Sequence, residues 1–285
     1  MRSRTPFSLM NLWLVLGFLF LYAPIVILII FSFNESRLVT VWAGFSIKWY
    51  GELFRDQQIL SAGWLSLRLA LMSATFAVLL GLLAGMVMAR YGRFRGQTLF
   101  ASMITAPLVM PEVITGLSML LLFVFMEKMV GWPQGRGMTT LWIAHVTFCA
   151  AFVAVVIASR LREMDAAVEE AAMDLGAPPF KVFTAITLPI ISPAIASGWL
   201  LAFTLSLDDL VISSFVAGPG STTLPMKVFS SVRMGVSPKI NALATIFVLF
   251  VSTCALGAGV LMFRSERQRK RDMQAALRNN DRETA

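Results

Sequence analysis

Residues 9–33 read LMNLWLVLGFLFLYAPIVILIIFSF, a run with no charged side chain. A helix of about 20 residues, rising 1.5 Å per residue, covers a hydrocarbon core of about 30 Å, so this run is long enough to cross a bilayer. Val26 to Phe31 is apolar at every position. That pattern suits a helix in lipid and not a barrel strand, whose side chains would alternate between lipid and lumen. Working outward, five further apolar runs follow: Leu65 to Ala89, Leu99 to Met126, Thr139 to Ser159, Ile190 to Phe215, and Ala242 to Phe263. The chain therefore reads as an all-α membrane protein with six transmembrane helices, in which Pro24, Pro107 and Pro111 are candidate kinks. The first run follows Arg2 and Arg4 but is too long for a signal peptide, and no small-x-small cleavage site follows Phe33, so it is expected to stay as the first helix.

The composition agrees. Of the 285 residues, 57% are hydrophobic and 14% charged, against about 25% charged in ordinary soluble domains. The mean hydropathy is +0.75. A soluble enzyme is thereby excluded, and the net charge of +8 is better read as membrane orientation than as a nucleic-acid surface. Fifteen Lys and Arg residues fall on the termini and on the second and fourth connections, against eight on the first, third and fifth. Basic residues collect on the cytoplasmic side, so both termini are expected there. The cluster RSERQRKR, Arg264 to Arg271, continues the same signal directly after the last run. Cys149 and Cys254 lie inside apolar runs and offer neither a disulfide framework nor a metal site. Gly81 and Gly85 have the small-xxx-small spacing that lets helices approach, a weak signal in an Ala- and Gly-rich run. His145, the single histidine, has no Cys or His at ligand spacing and reads as a hydrogen-bonded packing or helix-bridging residue. No cofactor is called for. No GxxxxGK[ST] loop occurs, so an ATP-driven role would need energy from another subunit.

The connection after the fourth run, MDAAVEEAAMDLGAPPFKVFTAITLP, is more than a linker. Asp165 can cap a short helix with Val168, Ala171, Ala172 and Leu175 on one face and Glu169, Glu170 and Asp174 on the other. Gly176 can close it in the left-handed conformation, and Pro179 can open a second helix carrying Phe180, Phe183 and Ile186. Two short helices with a bend make a shape suited to a groove in a partner protein; pattern alone equally allows an amphipathic segment on lipid headgroups.

Glu170, Ala171 and Ala172, then three residues, Gly176, nine residues, and Ile186-Thr187-Leu188-Pro189 resemble the EAA signature of permease subunits in bacterial ABC importers. The resemblance implies that this loop, residues 160–189, is a coupling helix docking on a cytoplasmic ATPase subunit. Further stretches are similar to the polyamine-importer permeases: Met110-Pro111-Glu112, Ser206-Leu207-Asp208-Asp209, Gly218-Pro219-Gly220 before Leu224-Pro225, and Asn241 to Thr245. LVTVWAGFSIKWYGEL and the stretch from Gly131 to Cys149 look most like the putrescine branch. What this implies is a first helix and periplasmic loop over 1–60, a type-1 transmembrane domain over 61–259, and the end of the last helix with a basic cytoplasmic tail over 260–285.

Acids in apolar runs are costly and generally face a pathway or a partner. Glu112 falls near the middle of the third run, on about the same face as Thr105 and Thr115. Asp208 and Asp209 lie in the fifth, where helical neighbours point about 100° apart and cannot share one lumen. Asp209 aligns with Ser206 and Ser213 as a polar stripe and is the expected pathway residue with Glu112; Asp208 is expected against another helix, with Arg68 a candidate partner. The competing reading makes all three packing residues.

The function this supports is an inner-membrane permease subunit of an ATP-driven importer, moving polyamine, putrescine ahead of spermidine, into the cytoplasm. Its implied partners are a homologous permease in a heterodimer, two cytoplasmic ATPase subunits, a periplasmic polyamine-binding protein and the lipid bilayer. The outer loop from Phe33 to Trp64, with Trp42, Phe45, Trp49 and Tyr50, is placed to meet the binding protein or the partner permease, though aromatics there also suit an interfacial belt. The rivals are an ion-coupled secondary transporter, which would usually show internal repeats, and a structural assembly factor, which has no need of buried acids.

Overall fold

The computed structural model describes residues 9–38, 41–92, 94–235, 237–253 and 256. The described residues form helices joined by turns, with one isolated antiparallel bridge between Asn34 and Phe45. In chain order they are α1 (Leu9–Ser32), α2 (Lys48–Arg55), α3 (Gln57–Arg90), α4 (Gln97–Val109), α5 (Glu112–Val130), α6 (Met138–Glu163), α7 (Ala167–Asp174), α8 (Pro179–Val182), a π-helical turn Phe183–Thr187, α9 (Leu188–Leu207), α10 (Val211–Val216), α11 (Leu224–Arg233) and α12 (Pro238–Thr253). Among them, five helical stretches are long and apolar enough to cross a membrane: Asn11–Ser32, Gln57–Arg90, Glu112–Val130, Met138–Glu163 and Pro179–Leu207; α4 and α12 are shorter apolar helices.

Two of the expected helices are broken instead of bent. The third run divides at Met110-Pro111: Pro111 has no N–H to donate and pushes the preceding residue to extended backbone, so Met110 sits at φ −74°, ψ 137° and α4 ends. Pro107 and Pro24 stay inside α4 and α1. The fifth run stops at Leu207 and resumes at Val211, which takes Asp208 and Asp209 out of the helix interior where the sequence placed them. The part of the sixth run beyond Thr253 that holds Cys254, and the basic tail from Arg264, lie outside the described residues, as do Arg2 and Arg4.

The chain separates into two units, residues 57–230 and, in the other, the segments before 57 and after 230. In the larger unit the core is built where α3, α6 and α9 pack, from fully buried Leu69, Leu141, Val153, Ile157, Leu161 and Ile191. Glycine decides the approach of α3 to α6. A Cβ at Gly81 would stand 2.7 Å from Val153 Cβ, and one at Gly85 would stand 3.0 Å from the Ala154 carbonyl oxygen. The weak small-residue spacing therefore marks the contact itself, as close helix packing requires. Gly218, after α10, is equally constrained, since a Cβ there would run into the backbone carbonyl of Arg136.

In the smaller unit Asn34 organises the turn between α1 and α2. Its Nδ2 donates to the Val41 carbonyl (2.7 Å), its Oδ1 accepts from the Ser36 and Ala43 amides, and its own carbonyl accepts from Trp49 Nε1 at 2.6 Å. Trp49 is thus buried and Tyr50 is held by Ser32, while Trp42 and Phe45 stay exposed. Trp42 packs edge-on to Phe31 and Phe45 stacks on Phe33, so all four aromatics help build the loop, two of them with ring surface left exposed. The membrane-length part of α1 has no buried residue over its most apolar window, so that surface is left for lipid or another subunit.

Candidate functional sites: the bent loop and the helix breaks

The connection after α6 folds as its glycine and prolines dictate. Asp165 Oδ1 accepts from the Ala167 amide (3.0 Å) at the start of α7. At the other end Gly176 takes φ +87°; its amide donates to the Met173 carbonyl (2.8 Å) and the Ala177 amide to the Ala172 carbonyl (3.1 Å). This paired bonding is the Schellman closure, which asks for glycine because the left-handed conformation is strained for residues with a Cβ. Pro179 then stands at the first position of α8, where a missing N–H costs nothing.

None of the residues of α7 is buried. Val168, Met173, Leu175 and Phe180 are exposed, the last two by 90% and 78% of their surface. The apolar face that the spacing implied is therefore uncovered by the chain's own helices. Glu170 and Ala171 are exposed and Ala172 is half-buried, so the signature residues are presented outward. Ile186 and Leu188 are half-buried, and Pro189 is exposed at the start of α9.

Sequence reasoning missed Glu169. Its Oε2 pairs with Arg90 Nε at 3.0 Å, and its Oε1 accepts from Thr187 Oγ1 at 2.6 Å. Arg90 also donates through Nη2 to the Met164 carbonyl (3.4 Å). Arg90 had been legible only as one basic residue among those that set orientation, and nothing in the spacing joins it to a residue 79 positions later.

The second region lies at the two breaks, and here the orientation expected for the aspartates is reversed. The Asp209 side chain is 5% exposed. Its Oδ1 and Oδ2 accept from the Ile212 (3.2 Å) and Ser213 (2.7 Å) amides, capping the first turn of α10. Its Oδ2 also lies 3.4 Å from His145 Nε2. His145 Nδ1 is 2.7 Å from Ser206 Oγ and its Nε2 is 3.0 Å from Ser213 Oγ. Ser206 and Ser213, expected as a lumen stripe, are thus buried against α6, and the stripe is an internal network spanning the break. Of the two roles expected for the histidine, packing or bridging, it takes the bridging one, joining α6 to Ser206 of α9 and Ser213 of α10. Asp208, expected against another helix, is exposed and forms no ion pair among the described residues. Arg68 lines a cavity of about 840 Å³ with Trp64, Met226 and Lys227.

Glu112 is exposed in the first turn of α5, directly after the Pro111 break, while Thr115 is buried with its hydroxyl donating to the Pro111 carbonyl. Thr105 belongs to the separate helix α4 and so no longer shares a continuous face with Glu112. One turn on, Gly116 packs against α10: a Cβ there would lie 3.2 Å from Ile212 Cα and 2.7 Å from the Phe215 ring. The two breaks are accordingly neighbours. Thr140 Oγ1 donates to the Val216 carbonyl (2.7 Å) and Arg136 Nη1 to the Phe215 carbonyl (3.3 Å), tying the far end of α10 to the start of α6. Among the described residues no group of His, Cys, Asp and Glu could hold a metal ion.

Comparison with known proteins places this geometry. Residues 77–271 match the family model described as the binding-protein-dependent transport system inner membrane component. The putrescine transport system permease protein PotI of Escherichia coli (strain K12) is 64% identical over 275 residues, covering 96% of this chain and 97% of that protein. The spermidine/putrescine transport system permease protein PotC of the same strain is 44% identical over 230 residues, 81% of this chain and 84% of the relative. Among solved structures, a chain of a bacterial ABC transporter involved in importing the acidic polysaccharide alginate matches with a TM-score of 0.67 at 16% identity, covering 92% of this chain and 97% of that one. That likeness speaks to the fold alone.

Proposed function

The chain belongs to the family of inner membrane components of binding-protein-dependent transport systems, and on that premise we propose that it passes putrescine toward the cytoplasm using the work of separate ATPase subunits. It is a multi-pass inner-membrane permease subunit of an ABC importer. The fuller assembly is a heterodimer with a homologous permease, two cytoplasmic ATPases and a periplasmic polyamine-binding protein. The sixth span includes α12, both termini are cytoplasmic, and 1–60, 61–259 and 260–285 are the working divisions of the chain. The chain itself binds no ATP.

The observation that carries the mechanism is the bent loop with no buried residue in α7 and uncovered Leu175 and Phe180. An apolar, outward-facing helix closed by a rigid left-handed glycine suits a cleft in a protein better than water, and its acids Glu170 and Asp174 disfavour an anionic lipid surface. Glu170, Ala171, Ala172 and Gly176 form the docking shape, while Ile186, Leu188 and Pro189 carry its movement into α9.

For the route, Glu112 and Asp208 are the exposed acids. The approach of Gly116 in α5 to Ile212 in α10 supports a shared location for the two breaks, with Glu112 one turn before Gly116 and Asp208 in the break before α10. Two carboxylates beside two broken helices lower the cost of moving a dication through a medium where an unpaired charge costs several kcal/mol. Asp209, Ser206 and Ser213 hold the break in shape behind them.

The test is uptake of labelled putrescine into vesicles holding the importer, normalised to assembled complex, with ATP hydrolysis recorded in parallel. Putrescine-dependent hydrolysis by a co-purifying ATPase supports the reading; uptake driven by an ion gradient without ATP defeats it. Near wild-type uptake in both Glu112→Gln and Asp208→Asn removes the two acids from the route.

A further inference from the structure

The loop helix α7 is joined to the rest of its unit in an unusual way. It buries no residue of its own, and turns at 164–166 and 175–178 flank it. Packing alone therefore gives a push on α7 little to act on. The side chain that crosses from α7 into the bundle is Glu169, 16% exposed, and it divides its two oxygens between two different elements. Oε2 meets Arg90 Nε at 3.0 Å in the last turn of α3, and Oε1 receives the Thr187 hydroxyl at 2.6 Å at the end of the π-helical turn that leads into α9. Thr187 is itself buried. Arg90 is anchored a second time through the Met164 carbonyl, the residue that ends α6.

We propose that Glu169 is the positioning residue that transmits movement of α7 into the transmembrane helices, one carboxylate driving α3 through Arg90 and α9 through Thr187. This rests on the reading of α7 as the ATPase-docking element and adds the step after docking. One oxygen is held by the close ion pair with Arg90, whose Nε makes no hydrogen bond of its own, and the other by the Thr187 hydroxyl, a bond to a carboxylate that is about twice as strong as a neutral one, so the side chain is tied to two elements at once. Glu170, one residue along and pointing to solvent, is left for the partner surface. Division of labour between the adjacent acids explains why the chain carries two glutamates at this turn. At the end of α6, Arg162 donates through Nη2 to the Met88 carbonyl (3.5 Å) and Arg160 pairs with Glu163 (3.2 Å).

The experiment uses the complete importer in proteoliposomes and reads the ratio of putrescine uptake to ATP hydrolysed, with assembly checked by co-purification of the ATPase. Glu169→Gln and Arg90→Gln should each assemble, hydrolyse ATP and lower that ratio about fivefold or more, the lower end of usual coupling between distant sites. The exchange Glu169→Arg with Arg90→Glu should recover most of the ratio. If the exchanged pair does not assemble, Glu169→Gln combined with Arg90→Gln decides: a loss no larger than either single change supports the latch, and multiplied losses overturn it. Thr187→Val should lower the ratio less, since one branch remains. An unchanged ratio in both single variants overturns the proposal. Leu175→Ser separates this failure from failure of the docking reading: it should abolish ATPase co-purification, and if it does not, docking by α7 is itself refuted.

Discussion

Asp209→Ala should be the most damaging single change at the helix breaks, and Asp208→Ala among the mildest for stability. The Asp209 carboxylate is 5% exposed and accepts the Ile212 and Ser213 amides while facing His145. Loss of a helix cap costs about 0.5–2 kcal/mol, and loss of a hydrogen bond to a charged acceptor about 1.5–3 kcal/mol. Because two amides lose the same buried acceptor while the histidine keeps Ser206 and Ser213, the upper end applies, about 3 kcal/mol. Asn at 209 keeps one acceptor for two amides and should lose about 1–2 kcal/mol. Asp208 is exposed and pairs with nothing among the described residues, so Asp208→Ala should change stability by no more than about 0.5 kcal/mol while lowering uptake. For a chain of this size about 2–4 °C follows each kcal/mol, so Asp209→Ala should lower the midpoint of thermal loss of the detergent-solubilised complex by about 6–12 °C. The assay is the fraction remaining monodisperse after heating, beside vesicle uptake at equal complex. If Asp208→Ala proves the more destabilising of the two, or if Asp209→Ala keeps its midpoint but loses uptake, the inward placement of Asp209 is refuted.

Gly81→Leu should sharply reduce assembled protein, because its side chain would meet Val153 and the Ala154 backbone, whereas Gly63→Ala, with open space around it, should leave abundance unchanged on a membrane immunoblot. Gly176→Val should keep membrane levels but lose uptake, since φ +87° disfavours a β-branched residue and the bend would shift; Glu170→Ala should act in the same direction through the docking surface. A reporter fused after Arg271 should read cytoplasmic and one inserted near Lys48 periplasmic; a periplasmic carboxyl end would require an odd number of spans.

What the sequence settled by itself depends on neighbours along the chain, though Pro111 broke a helix it had been expected only to kink. Apolar runs such as 9–33 report burial in lipid because hydrophobicity and helix rise are one-dimensional properties. The bent loop was legible for the same reason: a capping aspartate, a closing Gly176 and an opening Pro179 act within a few residues of themselves. Tertiary structure decided which member of a pair faces inward. Spacing puts Asp209 with Ser206 and Ser213, but the direction in which that set points is not a local property, and Asp209 is drawn in because His145, 64 positions earlier, stands where its carboxylate and two serines converge. The same holds for Glu169 beside Glu170, separated in role only because Arg90 ends α3 within 3.0 Å of one of them. It holds too for Gly81 and Gly85, whose spacing became a contact only once Val153 and Ala154 were found opposite. A buried charge must be met by partners wherever the chain brings them, and their identity is fixed by the packing of helices remote in sequence.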